Sequence, residues 1–253
     1  MIIRNNAEFG VELALAIPYA YYLHTQGKLN GVITSKGMKP FYYFCDNVDT
    51  SIDHRTIDNA EAGLNDLPNN WIHHNAPASI GKPYDKLTPA EESKANGTLD
   101  YSEWILPPYK DKYKPVVPYT KPRVFITNVY NHPDNSDVRH YHHFTIKGLY
   151  DMFNELTEKG YDIIYKRENN QSKEITFDQN EQNTNADITA HVEGLGTITD
   201  FELCEHYDNV TNFSDIVSTD SYNEKQLRIM AGCNKFISVC GGNSILSSCF
   251  GGD

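Results

Sequence analysis

The chain has 253 residues, enough for one large domain or two of ordinary size, and its 12% aromatic content excludes a wholly disordered chain. A formal net charge of −12 excludes a general nucleic-acid binder, because affinity for the phosphate backbone comes from clustered Lys and Arg side chains. This charge still allows a nucleotide ligand, which needs only a local group of hydrogen-bond donors.

The sequence contains no run of about 18 apolar residues, and it lacks a basic N-terminal region followed by an apolar leader. Its five cysteines are odd in number and lack close paired spacing. They are Cys45, Cys204, Cys233, Cys240 and Cys249. We therefore expect reduced, mostly buried thiols, no transmembrane segment and a cytoplasmic location.

The first part of the chain predicts an α/β unit. Residues 8–23 are rich in Ala and Leu, which is typical of a helix buried against a sheet, and Pro18 should kink or divide this helix. Strands are predicted at 31–34 and, from aromatic residues, at 41–45. Residues 1–4 are too short for a strand to be predicted there.

Two acidic residues, Glu8 and Glu12, lie where the first strand would pass into the first helix, a ligand-facing position in α/β proteins. A carboxylate at a helix start often only stabilises the helix dipole. Glu12 lies in a strongly apolar stretch, and burial makes a carboxylate a stronger base, so Glu12 is a candidate general base.

Residues from about 76 to 120 change in character, because prolines interrupt any long periodicity while tyrosines recur among them. This composition predicts an ordered, irregular connection between two halves of the chain. A second α/β unit then follows. We predict a strand at 123–127, a polar loop, an amphipathic helix at 143–159 ended by Gly160, and a strand at 161–166.

The carboxyl end of strand 123–127 is a place where α/β sheets bind ligands. Asn128, Arg139 and His140 follow it and are candidate donors of hydrogen bonds to a diphosphate, while Arg167 would add positive charge from the next strand. The alternative for each is a solvated loop residue. His132 and the histidines at 140–143 lack the spacing of a helical metal site, so no metal is predicted.

Residues 168–190 are polar and predict a surface excursion. Short strands are predicted at 201–204 and 215–218. Ser221 and Glu224 have the spacing of a capping box, which predicts a helix over 225–231.

The last stretch predicts a buried strand at 236–239, a tight glycine turn and a helix. A helix N-terminus presents unpaired N–H groups, and glycines let a phosphate approach the backbone closely. Gly241, Gly242, Asn243 and Ser244 are therefore candidate ligands of a nucleotide diphosphate. The alternative is a plain strand–turn–helix junction, which needs glycine for its turn in any case.

Several common nucleotide and hydrolase motifs are absent from the sequence. It contains no Asp-x-Asp triplet, the commonest carboxylate clamp for a metal-bound sugar nucleotide. It also has no Gly-x-x-x-x-Gly-Lys-Ser/Thr loop and no Gly-x-Ser-x-Gly elbow. P-loop ATP hydrolysis and a serine hydrolase triad are therefore not expected.

Taken together, these features resemble glycosyltransferases of the GT-B fold, above all the heptosyltransferase-like and fucosyltransferase-like branches. In the former, a Gly-Asp pair opens the first helix and a proline follows six residues after the Asp. Here Glu12 lies six residues before Pro18, although Gly10 is one residue further from the acid. Residues 227–251 are similar to the family's donor-binding segment, and residues 233–244 match its pattern. The Asp and His of the heptosyltransferase turn are missing, and the Gly/Asn/Ser turn fits the fucosyltransferase-like variants better.

The resemblance implies an α/β fold of two Rossmann-like domains facing across a cleft, with residues 1–120 on the acceptor side and 121–253 binding the donor. It implies transfer of a hexosyl or deoxyhexosyl group from a UDP- or GDP-sugar to a glycan acceptor, inverting, metal-independent and without a cofactor. Glu12 would be the base. Such enzymes usually continue beyond the donor helix, so the chain is either a compact variant or part of a longer polypeptide.

Two alternatives to a glycosyltransferase stay open at this point. One is a non-catalytic α/β module that binds a carbohydrate or a partner through its many tyrosines, and the other is a sugar-nucleotide epimerase of GT-B architecture. Binding of UDP or GDP in the presence of EDTA separates the nucleotide-dependent enzymes from the module.

Overall fold

The computed structural model describes residues 1–56, 63, 67, 105–115, 119–129, 143–167, 188–239 and 241–251. These residues form two compact units, the first reaching to Pro107 and the second beginning at Pro108. Within the described ranges, no helix has the length and apolar content needed to cross a membrane.

The first unit is built on three parallel strands in the order β1-β2-β3. The strands are β1 (Ile2–Arg4), β2 (Gly31–Ser35) and β3 (Val48–Ile52). Between β1 and β2 lie α1 (Phe9–Val11), a π-helical turn (Glu12–Ala16) and α2 (Ile17–Thr25), and a 3-10 helix (Lys39–Tyr42) precedes β3. The predicted strand at 31–34 is confirmed, and β1 forms although its sequence is too short to predict it.

Pro18 explains why the first helix is divided as predicted. A proline has no N–H group, and its ring crowds the carbonyl four residues earlier. The N–H of Ile17 bonds to the carbonyl of Glu12, five residues back, so the helix widens to a π turn immediately before Pro18. Single π turns inside α-helices are frequent at functional sites.

The strand predicted at 41–45 is wrong. Pro40 fixes its own backbone in the helical range and cannot donate to a strand ladder, and residues 39–42 form a 3-10 helix. Phe41 and Tyr42 are fully buried by this turn, and the Phe41 ring meets that of Phe9 edge to face at 5.5 Å. Aromatic content therefore indicates burial here rather than extended backbone.

The second unit contains a four-stranded parallel sheet in the order β8-β5-β4-β9 and a separate antiparallel hairpin, β6-β7. The strands are β4 (Arg123–Asn128), β5 (Asp162–Arg167), β6 (Thr189–Val192), β7 (Gly196–Thr199), β8 (Val210–Asn212) and β9 (Lys235–Ser238). The helices are α3 (Tyr109–Lys112), α4 (Ile146–Glu158), α5 (Asp200–Glu205), α6 (Tyr222–Ala231) and α7 (Gly242–Ser248), with a 3-10 helix at Phe213–Asp215.

The predicted strand–helix–strand unit of β4, α4 and β5 is confirmed. Its apolar side chains form one buried cluster, because the stripe on α4 packs against alternate residues of both strands. The fully buried members include Val124, Ile126, Leu149, Phe153, Ile163 and Tyr165. Gly160 follows α4 at φ 79°, the left-handed conformation expected of a glycine that ends a helix.

The strand predicted at 201–204 is wrong, since these residues lie in α5. The Thr199 hydroxyl accepts from the N–H of Glu202, and the Glu202 carboxylate accepts from the N–H of Thr199, so a complete capping box starts a helix there. The N–H and the hydroxyl of Thr199 both donate to the Glu202 carboxylate, and these two hydrogen bonds lower the pKa of Glu202. The strand predicted at 215–218 is also wrong, because Asp215 ends the 3-10 helix and no strand follows directly.

Four cysteines are described, and all are free thiols. Cys204 and Cys233 are buried, and burial raises the pKa of each to about 12, with the negative charge of Asp200 adding to the effect at Cys204. Burial likewise raises the pKa of Cys249 to about 12. Of the four described cysteines, Cys204 and Cys233 are thus buried as expected, while Cys45 and Cys249 are half-buried.

We expect native Cys204 and Cys233 to resist alkylation at about pH 8, because only the thiolate reacts and their thiols stay protonated there. Half-buried Cys45 should react faster than either. Peptide mass mapping after timed iodoacetamide treatment measures the three rates. A urea-unfolded sample is the control, in which the three cysteines should react alike. Equal rates in the native protein would contradict the prediction.

Candidate functional site

The order of strands in the second unit creates a switch point at the carboxyl edge of the sheet. After β4 the chain continues to β5 on one side, whereas β9, which follows β8 in the chain, lies on the other side of β4, so the strand order reverses between β4 and β9. Ligands of open α/β sheets bind outside the carboxyl ends of the strands at such a point. Here β4 ends at Asn128, β5 at Arg167 and β9 at Ser238.

Asn128 lies at this edge, but its side chain is bonded within the unit. Its amide N–H groups donate to the carbonyl of Phe144 at 3.0 Å and to the hydroxyl of Tyr165 at 3.2 Å. Its amide oxygen accepts from the N–H of Phe144 at 2.9 Å. Asn128 therefore ties the end of β4 to the segment that enters α4, and direct contact with a diphosphate stays a prediction.

Arg167 forms a buried, bidentate ion pair with Asp200 of α5. The two N–H···O distances are 2.7 and 3.1 Å, and the hydroxyl of Tyr165 donates to the same carboxylate at 2.6 Å. The guanidinium also lies 4.2 Å from the centre of the Phe201 ring. Paired geometry of this kind locks both side chains. The charge of Arg167 is thus matched inside the unit.

Lys166 is a residue of this edge that the sequence reasoning missed. Successive side chains of a strand point to opposite faces, so Lys166 leaves β5 on the face opposite Arg167. Its side chain is buried, and its ammonium donates to the amide oxygen of Gln226 in α6 at 2.9 Å and to that of Asn243 in α7 at 3.4 Å. The available signal was a lysine at the end of an otherwise apolar predicted strand.

The predicted strand, glycine turn and helix are confirmed by β9, Gly241 and α7, but the strand is half-buried and not buried as predicted. Gly241 has φ 139°, which L side chains rarely adopt, and a Cβ there would meet no atom within 4 Å. Its carbonyl accepts the N–H and the hydroxyl of Ser244. The glycine is therefore required by backbone conformation, not by crowding inside the unit.

The carboxyl edge also carries two hydroxyl groups on neighbouring strands. Thr127 of β4 and Ser238 of β9 lie side by side, with their oxygens 2.6 Å apart. This hydrogen bond links the side chains of the two strands at the switch point. Arg139 and His140, the other predicted donor-binding residues, lie outside the described residues, as does His132. Among the residues described, no group of three or more His, Cys, Asp and Glu could hold a metal ion.

In the first unit, Glu12 is fully buried at the start of the π turn. Its Oε1 accepts from the hydroxyls of Thr34 and Tyr42, the latter at 2.9 Å. Its Oε2 accepts from Arg55 at 2.8 Å, and the same guanidinium nitrogen donates to the carbonyl of Ala7 at 2.5 Å. An acceptor hydroxyl would have to displace one of these donors to reach the carboxylate.

Glu8 has different surroundings from Glu12. Its side chain is exposed, and it is the residue that precedes the first turn of α1. Its carbonyl accepts the N–H of Glu12, which links the two acids through the backbone. The two predicted catalytic acids thus share one helix start but differ in access to solvent.

A cavity of about 440 Å³ lies beside α5 and β8 in the second unit. Its lining comprises Phe201, Cys204, Glu205, Val210, Thr211, Asn212, Ser214 and Asp215. The predicted donor-binding residues that the structure describes are not part of this lining. The cavity is therefore separate from the glycine turn.

Comparison with solved structures shows the fold. The chain is similar to the E. coli heptosyltransferase WaaC with ADP-2-deoxy-2-fluoro heptose, at 11% identity and a TM-score of 0.54, covering 99% of this chain and 86% of that one. At lower TM-scores it matches E. coli ADP-heptose lps heptosyltransferase II (0.48, 10% identity, 99% and 82% covered). The iron-containing dodecameric glycosyltransferase TibC from enterotoxigenic E. coli also matches (0.45, 14% identity, 98% and 55% covered).

No family model matches the sequence, and no curated protein matches it either. The likeness to WaaC shows a shared α/β fold with parallel sheets. The α/β class expected from the sequence is confirmed to that extent.

Proposed function

We propose that this chain is a glycosyltransferase that transfers a sugar from a nucleotide-diphosphate sugar to a glycan acceptor. The observation that carries the proposal is the switch point of the second unit, where the Gly241 turn opens α7 beside the buried ammonium of Lys166. A glycine turn, a helix start and a cation together suit a diphosphate. The shared fold with WaaC supports this reading.

The donor diphosphate would lie against the turn at residues 241–244, where the backbone N–H groups of residues 241–243 would donate to it, with Arg139 and His140 as further contacts. Asn128 and Arg167 would stabilise the carboxyl edge of the sheet, since the side chain of Asn128 bonds to Phe144 and that of Arg167 bonds to Asp200. Fixed N–H dipoles and positive side chains stabilise the negative charge of a departing diphosphate, so neither metal nor cofactor is part of the proposal.

The first unit would hold the acceptor. We assign the base to Glu8, because its carboxylate is exposed at the start of α1, and we assign Glu12 to positioning, because its carboxylate is engaged by Arg55, Thr34 and Tyr42. As the base removes the proton of the acceptor hydroxyl, the oxygen attacks the anomeric carbon. The bond from that carbon to the nucleotide diphosphate breaks on the opposite face, which inverts the configuration.

The proposed donor is a UDP- or GDP-sugar carrying a hexose or deoxyhexose. Because two of the similar structures are named for ADP-heptose or its analogue, ADP belongs among the nucleotides to be tested. An epimerase would convert the donor sugar without an acceptor. A non-catalytic binding module would convert neither the sugar nucleotide nor the acceptor.

We expect calorimetric titration in EDTA to show saturable binding of at least one of UDP, GDP and ADP. Gly241→Ala should weaken that binding, because alanine at φ 139° forces the turn to move. Gly194→Ala is the matched control, since Gly194 also has a positive φ (81°) with open space around it but lies between β6 and β7. If the wild-type protein binds none of the three nucleotides, the proposed function is wrong.

A further inference from the structure

Lys166, which the proposed function uses only as a nearby positive charge, carries a further inference. The side chain is 2% exposed, and its ammonium donates to side chains of two different helices. One is Gln226 of α6, which is buried, and the other is Asn243 in the first turn of α7, which is half-buried. The lysine therefore connects the interior of the unit to the glycine turn.

The rings around the ammonium support the same geometry. The centres of the Phe213 and Tyr222 rings lie 5.6 and 5.4 Å from Lys166 Nζ, within the range of cation–π attraction. Desolvating an ammonium is costly, so a buried lysine needs contacts of this kind to keep its charge in place. Together these contacts hold a cation at a defined point close to α7.

Asn243 is the residue through which this cation reaches the turn. Its amide oxygen accepts from Lys166 Nζ and from Gln226 Nε2, each at 3.4 Å, and its carbonyl accepts from the hydroxyl of Ser247 at 2.8 Å. Its backbone belongs to the proposed diphosphate site. Contacts that hold the Asn243 side chain therefore also restrain the residue whose backbone would face a phosphate.

We propose that Lys166 is the positioning residue of the donor turn: its ammonium fixes Asn243, and with it the first turn of α7, in the conformation that receives the nucleotide diphosphate. The proposal rests on the proposed function and assigns a role to a buried residue on the face opposite Arg167. The positive charge of Lys166 would also favour the diphosphate over a ligand with fewer negative charges.

The test compares a nucleoside diphosphate with its monophosphate by calorimetry, using whichever of UDP, GDP and ADP the wild-type protein binds. Lys166→Met keeps the length of the side chain and removes its charge. We expect the diphosphate affinity to fall at least about tenfold, the size expected for one lost charge-assisted hydrogen bond, and the monophosphate affinity to fall clearly less. Equal losses for both nucleotides would indicate a merely structural lysine and overturn the proposal.

Asn243 supplies variants that do not disturb the core. Asn243→Ala should reproduce the selective loss, and the Lys166→Met/Asn243→Ala double variant should lose no more than the larger single loss, because the lysine acts through the asparagine. Additive losses would contradict that route. Asn243→Asp places a carboxylate beside the Lys166 ammonium, so the unfolding temperature should stay unchanged or rise. The added negative charge beside the turn should weaken diphosphate binding more than Asn243→Ala does. Wild-type affinity in this variant would also overturn the proposal.

The outcomes separate the two proposals. If the wild-type protein binds none of the nucleotides, the proposed function and the role of Lys166 fail together. If the wild-type protein binds one and the Asn243 variants bind it equally well, the role of Lys166 fails and the proposed function stands. This second comparison holds even if Lys166→Met does not fold.

Discussion

Asp200→Asn is expected to lower the free energy of unfolding of the second unit by about 3–5 kcal/mol, because it leaves the buried Arg167 guanidinium without its counter-charge. The side chains of both partners are almost fully buried, at 3% and 0% exposure, and Tyr165 donates to the same carboxylate. Asparagine keeps the shape of aspartate, so no cavity adds to the effect. Urea unfolding followed by circular dichroism measures the change.

A matched substitution at the surface serves as the control for this prediction. Glu155→Gln also replaces a carboxylate that pairs with a cation, Lys159, but both partners of that pair are exposed. The Lys159 ammonium lowers the pKa of Glu155, yet solvent screens such pairs, so little change in stability is expected. If Asp200→Asn were as mild as Glu155→Gln, the buried pair would not hold the sheet edge together.

The elements that sequence reasoning predicts correctly are those whose signals are local. Strand β4, helix α4 and strand β5 follow from an apolar run, a helical stripe and a helix-ending glycine, all read within a few residues. The turn at Gly241 follows in the same way. The prediction of a strand at 201–204 is wrong despite an equally local signal, since Thr199 and Glu202 have the same spacing as Ser221 and Glu224. The capping box forms at Thr199, whereas α6 begins at Ser221 without a side-chain cap hydrogen bond, so the box predicted there is wrong although its helix is present.

The candidate site is harder to predict because its side chains are paired over long sequence distances. Glu12 meets Thr34 and Arg55, which lie 22 and 43 residues further along the chain. Arg167 meets Asp200, 33 residues away. The sequence places Glu12 and Arg167 at the correct edges of their sheets, but only the packing of whole units determines which charge is matched inside. Periodicity carries no information on such partners.

The same limitation explains why the sequence indicates Arg167, and not Lys166, as a donor-binding residue. Both end β5, and an arginine is the more familiar partner of a phosphate. Strand alternation sends the two side chains to opposite faces, and the position of α5 on one face supplies Asp200 to Arg167. On the other face, α6 and α7 supply amide oxygens to Lys166. Which face carries the acid depends on chain connections that local sequence does not encode.

Glu12→Gln is expected to lower stability, and Glu8→Gln is expected to lower the rate of transfer. The contrast tests the roles assigned to the two acids. Glu12→Gln removes the counter-charge of buried Arg55, so the free energy of unfolding of the first unit should fall by about 3–5 kcal/mol. Glu8→Gln changes an exposed side chain, so its stability should stay within about 0.5 kcal/mol of the wild-type value. Because Glu8→Gln removes the proposed general base, the transfer rate of this variant should fall by about 10²–10⁴-fold.

Transfer is measured as sugar incorporation into an oligosaccharide array from the UDP-, GDP- or ADP-sugar whose nucleotide binds in calorimetry, and stability by urea unfolding. The matched control for Glu12→Gln is the Glu12→Leu/Arg55→Met double variant, which removes both buried charges and should recover part of the lost stability; the Thr34 and Tyr42 hydroxyls, which lose their acceptor, account for the rest. A stable Glu12→Gln that loses transfer, beside an active Glu8→Gln, would reverse the assignment and make Glu12 the base. Buried Glu12 is held by three donors, whereas exposed Glu8 lies at the helix start. We therefore expect Glu12→Gln to lose stability and Glu8→Gln to lose transfer.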